Sequence, residues 1–323
     1  MSKRMSTDTN LFKALEVYVA LVETGQMTAA ARLVGMTQSA ASQHIANLER
    51  AYDTTLMDRS SRPLKPTQTG ELMFRHASHV LNAIADLATE MRHQGPHPIS
   101  RLRVGILASI ATTLSVPLVR LARETFGVED MTLHAGQSGD HEALLRTKKA
   151  DMVVSSNPFY DMDGLERHQI LQEAFLLVLP KSYSGSTDRL DEILAQLPLV
   201  RFADTTSVGR QTEQHLRRLK LKAPRVIQAD RSSMVTSCVA QGLGFTLLTP
   251  SLLIDGFVEQ MPLRICPLPV AGLSRRITVV AREKELGDLP QDFAETARRL
   301  MVETIQRHMG QTGLAAISTS DPG

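Results

Sequence analysis

Residues 11–67 carry three helical patterns in close succession, and this arrangement constrains the fold more than any other feature of the chain. In the first pattern, Leu15, Val19 and Val22 recur at helical spacing and give the helix one apolar face. A short alanine-rich helix follows and ends at Gly35, because glycine tolerates the left-handed turn that stops a helix. Two such helices followed at once by a third predict a helix-turn-helix domain.

The third pattern, over residues 38–52, predicts a helix with one apolar face and one polar face. Thr37 is well placed to cap its N-terminus. The residues expected in the core are Ala41, Ile45, Leu48 and Tyr52. The opposite face carries amides and hydroxyls, which can pair with base edges in the major groove of DNA. For this helix alone, an ordinary solvated face is the alternative. The predicted DNA-binding residues are Thr37, Gln38, Ser39, Ser42, Gln43 and Asn47.

The next stretch, residues 58–67, favours DNA binding over a solvated face. Its two prolines exclude a helix, and Arg59, Arg62 and Lys65 distribute positive charge along a short extended loop. A basic loop beside a polar recognition helix suits the phosphate contacts that fix a protein's register on DNA. A merely solvated basic loop is the alternative. We therefore predict that residues 1–67 form a winged helix-turn-helix domain whose partner is double-stranded DNA.

Residues 11–70 resemble, without a gap, the DNA-binding signature of LysR-type transcriptional regulators. The segments that carry the resemblance are Ala30-Ala31-Arg32-Leu33, residues 37–49, residues 56–59, and Thr67 with Gly70. The family often has Ser-Gln-Pro-Ala where this chain has Thr37-Gln38-Ser39-Ala40, arginine at Gln43, phenylalanine at Met57 and leucine at Pro66. These departures affect which bases are recognised and leave the predicted fold intact.

The composition and the N-terminal sequence indicate which cellular compartment the protein occupies. The net charge of +2 and the isoelectric point near 8.6 do not by themselves indicate a nucleic-acid-binding protein. No signal peptide is visible, because Lys13 and Glu16 interrupt the first apolar run, and no apolar stretch approaches membrane-spanning length. We therefore expect a cytoplasmic protein with no membrane partner. Cys238 and Cys266 fit a reducing compartment, and a redox-sensing regulator that uses them is one alternative.

Residues 68–93 predict a long linker helix with a coiled-coil pattern. Apolar side chains alternate in steps of four and three, and we call this set the linker seam: Met73, Ala77, Val80, Ile84, Leu87 and Met91. A single helix cannot bury such a seam alone, so we expect a homodimer or homotetramer through the 70–91 helix. Packing of the seam on its own domain is the alternative. In the family this helix pairs antiparallel between subunits, and most members are tetramers. Residues 94–100, with Gly95-Pro96, predict a hinge.

From residue 102 the chain alternates between strand and helix patterns, which predicts an α/β domain with parallel sheets. The predicted strands are 102–107, 131–134, 151–155, 175–179, 199–202, 225–228, 246–248 and 277–281. The family resemblance implies a bilobed, periplasmic-binding-protein-like effector-binding domain over residues 101–305. Lobe one would comprise 101–171 and 270–305, and lobe two 172–269. Residues 306–323 are expected to be a disordered tail.

Three segments follow predicted strands and begin helices, where doubly wound folds bind ligands. They offer hydroxyls, backbone N–H groups and arginines, which suit a small anion such as a carboxylate. The candidate effector-binding residues are Ser109, Ile110, Gln137, Ser138, Arg201, Thr206, Ser207, Gly209 and Arg210. In the family, the positions of Ser109 and of Gln137-Ser138 commonly contact effector. Plain helix capping by the hydroxyls and solvation of the arginines are the alternatives.

Two other functional classes fit the sequence less well. A solute-binding protein of the same bilobed fold would need an export signal and no DNA-binding segment. An enzyme is not indicated, because Gly242-Leu243-Gly244 lacks the third glycine of a dinucleotide loop, and the histidines are scattered. No metal site, catalytic residue or cofactor is expected. The sequence thus predicts a transcriptional regulator whose DNA binding is controlled by a small-molecule effector.

Overall fold

The computed structural model describes residues 9–90, 99–224, 226–270 and 272–319. The chain forms two compact units, one made of Met1–Pro96 with Leu144–Lys149 and the other of His97–Ala143 with Ala150–Gly323. The predicted hinge at Gly95-Pro96 lies outside the described residues, as does Met91 of the linker seam. Among the helices of the described ranges, none is both long and apolar enough to span a membrane.

The first unit is a winged helix-turn-helix followed by a long helix, as the sequence predicts. Its elements are α1 (Thr9–Thr24), α2 (Met27–Leu33), α3 (Gln38–Ala51), β1 (Met57–Asp58), β2 (Lys65–Pro66) and α4 (Gln68–Glu90). The first three helices pack around a core that includes Tyr18, Ile45 and Leu48. Strands β1 and β2 pair antiparallel and form the wing. Tyr52 was expected in this core but is 42% exposed, because α3 ends at Ala51 and the side chain leaves the apolar face.

The close packing at the start of α4 requires a glycine at residue 70, three residues after Thr67. A Cβ at Gly70 would lie 2.1 Å from the carbonyl oxygen of Leu56, so only glycine fits at the start of α4. Its carbonyl accepts a hydrogen bond of 2.8 Å from the Tyr18 hydroxyl, and its N–H donates to the Thr67 hydroxyl at 3.0 Å. These contacts fix the first turn of α4 against α1 and the wing.

The linker seam is divided between two environments. Ala77 is buried in the core of the first unit, and Met73 packs against that core. Further along α4, Val80, Ile84 and Leu87 are 46%, 43% and 56% exposed. The first part of the seam therefore packs on its own domain, which was the alternative, while the second part leaves an apolar strip that no described residue covers.

The second unit consists of two α/β lobes. Its elements are β3 (Arg101–Leu107), α5 (Ala108–Phe126), β4 (Asp130–Gly136), α6 (Ser138–Arg146), β5 (Met152–Ser155), β6 (Leu165–Ala174), β7 (Leu176–Pro180), α7 (Leu190–Gln196), β8 (Val200–Phe202), α8 (Ser207–Arg218), β9 (Ile227–Ala229), α9 (Ser232–Ala240), β10 (Thr246–Leu248), α10 (Pro250–Asp255), a 3-10 turn (Val258–Gln260), β11 (Leu263–Pro267), β12 (Ser274–Arg282), α11 (Leu289–Leu314) and β13 (Ile317–Ser318).

Lobe one is built on a six-stranded sheet in the order β13-β6-β12-β5-β3-β4. Strand β3 runs parallel to β4 and β5, whereas β12 runs antiparallel to β5 and β6. Lobe two holds an antiparallel sheet, β10-β7-β11, and a parallel pair, β8 and β9. The predicted all-parallel sheets are therefore wrong in part. Strands β6 and β12 of lobe one and β7 and β11 of lobe two, which carry the chain between the lobes, all pair antiparallel with their neighbours.

The C-terminal segment differs from its prediction. Residues 306–319 were expected to be disordered, but α11 continues to Leu314 and β13 pairs with β6. The helical geometry breaks at Gly310, which has φ 56° and ψ −140°, and the chain then turns back. Burial of Ile305, Gly313 and Ala316 stabilises this return, because apolar surface is removed from water.

Candidate functional site

The polar face of α3 has the features expected of a recognition helix. The Thr37 hydroxyl caps it by accepting a hydrogen bond of 3.3 Å from the N–H of Ala40. Gln38, Ser39 and Gln43 are exposed, and Ala41, Ile45 and Leu48 are buried on the opposite face. The two faces therefore segregate as the sequence predicts.

Two of the predicted base-contacting side chains are bonded to each other. The Gln43 amide donates to the Asn47 carbonyl oxygen at 2.9 Å, and Arg50 donates to the same oxygen at 3.0 Å. Ser42 and Asn47 are half-buried. The Asn47 oxygen is thus occupied, whereas Gln43 keeps its own amide oxygen and points away from the core. Gln43 is the stronger candidate of the two for base contacts.

The three basic residues of the wing are not equivalent. Arg59 pairs with Glu49 at 2.9 Å, and the other oxygen of Glu49 accepts the N–H of Leu56. This carboxylate joins α3 to the wing and neutralises Arg59. Arg62 and Lys65 are exposed, and within the described chain Arg62 forms no hydrogen bond or ion pair. Arg62 is therefore the cation most available to a phosphate.

The second unit contains a pocket of about 200 Å³ between its two lobes. Predicted effector residues from both lobes meet there, although they lie far apart in the sequence. Those that line the pocket are Ser109, Gln137, Ser138, Thr206 and Ser207. The Ser138 hydroxyl lies 2.9 Å from the hydroxyl of Ser156, which also lines the wall. Four helices, α5, α6, α8 and α9, present their first residues to the pocket, so their N-terminal N–H groups give it positive potential.

A buried ion pair supports the wall of the pocket. Arg275 and Glu173 lie on the neighbouring strands β12 and β6, with side chains 3% and 0% exposed and Nε and Oε2 3.0 Å apart. The Glu173 carboxylate also accepts hydrogen bonds from the backbone N–H and the hydroxyl of Ser251, at 2.7 and 2.8 Å. Every partner of Glu173 is thus a donor, which is the condition for keeping a carboxylate charged in a protein interior.

The guanidinium of Arg275 reaches from this pair to the pocket. Its Nη2 donates to the hydroxyl of Ser109 in lobe one at 3.1 Å and to that of Ser251 in lobe two at 2.5 Å. Arg275 itself lines the pocket, and none of its hydrogen bonds to the described residues uses Nη1. A fixed cation with a free N–H edge is therefore available to a ligand.

Four predicted effector residues lie outside the pocket lining. Arg201 is buried and donates to the carbonyls of Ala223 and Pro224, and these hydrogen bonds hold the loop before β9. Arg210 is exposed and donates to the carbonyls of Asp204 and Thr205. Both arginines are therefore structural, which corrects the sequence interpretation.

The other two are Ile110 and Gly209. Ile110 is 2% exposed and belongs to the core of lobe one. The N–H of Gly209 donates to the Thr206 hydroxyl at 2.9 Å, and a Cβ there would lie 2.1 Å from the carbonyl oxygen of Ala203. Gly209 is therefore required for packing of the first turn of α8, and Thr206 both caps that turn and lines the pocket.

Sequence reasoning missed seven polar residues of the pocket: Ser156, Asp230, Arg231, Ser232, Ser233, Asp255 and Arg275. For Asp230 and Arg231 the available signal was position, because both follow the strand predicted at residues 225–228. Arg275 is 166 residues from its partner Ser109, and no local pattern indicates that contact.

The two cysteines of the redox alternative are both free and partly buried. Cys238 lies on α9 and Cys266 on β11, and both pack against the core of lobe two. Neither lines the pocket. Within the described residues there is no cluster of three His, Cys, Asp or Glu side chains that could hold a metal ion.

Comparison with known families assigns each unit. Residues 12–71 match the family described as "Bacterial regulatory helix-turn-helix protein, lysR family". Residues 96–302 match the "LysR substrate binding domain". Together the two matches cover most of the chain, and they correspond to the winged helix-turn-helix and to the bilobed unit.

Individual relatives agree with this assignment. The nitrogen assimilation regulatory protein Nac of Escherichia coli is 24% identical over 243 residues, which cover 74% of this chain and 78% of that protein. The probable transcriptional regulator LrrA of Synechococcus elongatus is 29% identical over 266 residues, covering 79% and 86%.

Solved structures show the same fold. The LysR family regulator CbnR matches with a TM-score of 0.58 at 17% identity, covering 90% of this chain and 98% of that one. A full-length OxyR variant from Pseudomonas aeruginosa also matches with a TM-score of 0.58 at 17% identity, covering 96% and 98%. The chain belongs to the LysR family and is a DNA-binding transcriptional regulator with an effector-binding domain, not an enzyme.

Proposed function

We propose that the effector of this regulator carries a carboxylate, which binds at Arg275 in the pocket between the lobes. The observation that carries this proposal is the free Nη1 of a 4% exposed arginine that lines the pocket. Glu173 holds the guanidinium in place, so little side-chain entropy is lost when a ligand binds. The Ser109 hydroxyl and the N-terminus of α5 complete the anion-binding set.

Thermal denaturation of the full chain tests this proposal. The probes are acetate, propionate, benzoate, succinate and the L-amino acids with uncharged side chains. A ligand that binds only the native state raises its melting temperature by mass action. Ser109→Ala should weaken binding about tenfold, since it removes one hydrogen bond to a charged group. Ser115→Ala, a matched substitution on the same helix but outside the pocket, should leave affinity unchanged. If no carboxylate of the panel stabilises the protein, the proposal is wrong.

On the DNA side, we infer that α3 enters the major groove and that the wing contacts phosphates. Gln43 is exposed at the centre of the polar face, and Arg62 on the wing forms no ion pair with any residue that the structure describes. Direct readout by the former and backbone positioning by the latter would give sequence-specific binding. Because this function requires access to the chromosome, we place the protein in the cytoplasm.

We further propose that the exposed strip of α4 joins two subunits. Val80, Ile84 and Leu87 recur at coiled-coil spacing and are 46%, 43% and 56% exposed among the described residues. Val80→Asp would place an unpaired carboxylate in that interface and should both dissociate the oligomer and weaken DNA binding. Light scattering gives the subunit mass directly. Gln68→Ala, an exposed substitution at the start of the same helix, serves as the control. A Val80→Asp protein that stays oligomeric would place the interface elsewhere.

A further inference from the structure

The pocket is lined by two carboxylates that form no ion pair with the described residues. Asp230 and Asp255 both line it, and within the described residues neither side chain forms a hydrogen bond or an ion pair. Asp230 follows β9, and Asp255 is the last residue of α10. A pocket that served only to bind an anion would gain nothing from two carboxylates in its wall, because like charges repel the ligand.

The position of Asp255 is not explained by helix stability. A carboxylate at a helix C-terminus opposes the partial negative charge of the last carbonyl groups, so the helix favours a cation there. Asp255 also caps no N-terminal turn and supports no neighbouring side chain among the described residues. A ligand that brings a positive charge would remove both unfavourable features.

Residues of α10 lie at both charged ends of the pocket. Ser251 on α10 donates to Glu173 and accepts from Arg275, so it marks the guanidinium end. Asp255 lies four residues further along α10, which places it on the same face at a rise of roughly 6 Å. An α-amino acid carries its carboxylate and its ammonium on one carbon atom, so a single molecule can present both charges along this turn of α10.

The charge balance of the wall favours a zwitterion over a simple anion. Glu173 already neutralises Arg275, and Arg231 offsets only one of the two aspartates. The remaining wall carries hydroxyls, one amide (Gln137) and apolar side chains that include Leu107, Phe202, Val208, Leu252 and Phe257. This part of the wall suits an uncharged side chain.

We propose that the effector is a free α-amino acid with an uncharged side chain, its carboxylate on Arg275 and Ser109 and its ammonium on Asp255 and Asp230. This proposal rests on the carboxylate site described above and assigns the opposite end of the same pocket. It identifies Asp255 and Asp230 as the residues that distinguish an amino acid from the carboxylic acid without the amino group.

The test is titration calorimetry of the full chain with matched sets of probes. One set is L-leucine, 4-methylpentanoate and 3-methylbutylamine, and another is L-phenylalanine, 3-phenylpropionate and 2-phenylethylamine. At least one amino acid should bind about tenfold more tightly than its acid, since an ammonium paired with a carboxylate forms charge-assisted hydrogen bonds. Asp255→Asn should remove this preference, since it takes away the partner of the ammonium, and it should not weaken binding of the acid, since it removes a like charge from the wall. Asp230→Asn gives a second, independent variant.

Asp163→Asn is the matched control, because Asp163 is exposed in lobe one and lies outside the pocket. Acids that bind as tightly as the amino acids, or a preference that persists in both pocket variants, would overturn the zwitterion and leave the carboxylate site standing. If neither acids nor amino acids bind, both proposals fail. Tight binding of the amines alone would overturn the carboxylate site as well.

Discussion

The buried pair of Arg275 and Glu173 should be a major determinant of the stability of the bilobed unit. Glu173→Gln replaces one carboxylate oxygen with an NH2 group among three donors, the Ser251 N–H, the Ser251 hydroxyl and Arg275 Nε. It also leaves the guanidinium, 3% exposed, without its counter-ion. Removal of one partner from a buried ion pair typically costs about 3–5 kcal/mol.

The corresponding change in melting temperature can be worked out from the size of the unit. A domain of about 150–250 residues shifts by about 2–4 °C per kcal/mol, so the expected loss is roughly 6–20 °C. Differential scanning calorimetry of the full chain measures it. Glu166→Gln is the matched control, because Glu166 lies on the same strand β6 but its pair with His168 is partly exposed. A partly exposed pair contributes about 1 kcal/mol or less.

A double variant separates the loss of charge balance from the loss of packing. Glu173→Gln with Arg275→Met removes both charges and should recover much of the stability lost in the single variant, since no unpaired charge remains buried. The reasoning is refuted if Glu173→Gln melts within about 2 °C of the wild type. It is also refuted if the double variant is no more stable than the single one.

Three further predictions concern other parts of the chain. Gln43→Ala should weaken operator binding by about 1–3 kcal/mol and leave nonspecific binding unchanged, as measured by titration of operator and scrambled DNA; equal losses on both DNAs would contradict base readout. Arg62→Ala should lower the slope of log affinity against log salt by about one unit, and an unchanged slope would place the wing away from phosphates. Burial lowers the pKa of His141 to about 4, so the folded protein binds fewer protons than the unfolded chain between that value and the ordinary pKa. The contribution of His141 to the free energy of unfolding is therefore full above about pH 6.5, and the protein should lose about 1–2 kcal/mol of stability as the pH falls to about 5. Urea titrations at about pH 7 and about pH 5 measure this loss, and His141→Gln should reduce it. The same loss in the variant would exclude His141 as its source.

The sequence was most informative where structure is local. The helices of the first unit and the Thr37 cap follow from spacing and from residue chemistry within a few turns, whereas Gly70 was indicated by the family resemblance alone. The same logic located Ser109, Ser138 and Ser207, because strand ends and helix starts can be recognised from a single chain.

Residues whose roles depend on distant partners could not be identified in that way. Glu173 lies on β6, and the many polar side chains of this strand do not predict a buried element. The Glu173 side chain is nevertheless 0% exposed. Arg201 and Arg275 both lie beside the core, and only their hydrogen-bond partners reveal that their roles differ. The first bonds two loop carbonyls, whereas the second faces the pocket.

The central claim is that occupation of the pocket controls DNA binding, and operator affinity with and without ligand tests it most directly. A ligand changes operator affinity only through its differential affinity for two states of the protein. For the probe that binds most tightly in calorimetry, we predict a change of operator affinity in the wild type and in Ser115→Ala. In Ser109→Ala the response should need about tenfold more ligand, while ligand-free DNA binding stays close to wild type. Operator affinity that does not change when the pocket is saturated would contradict the account.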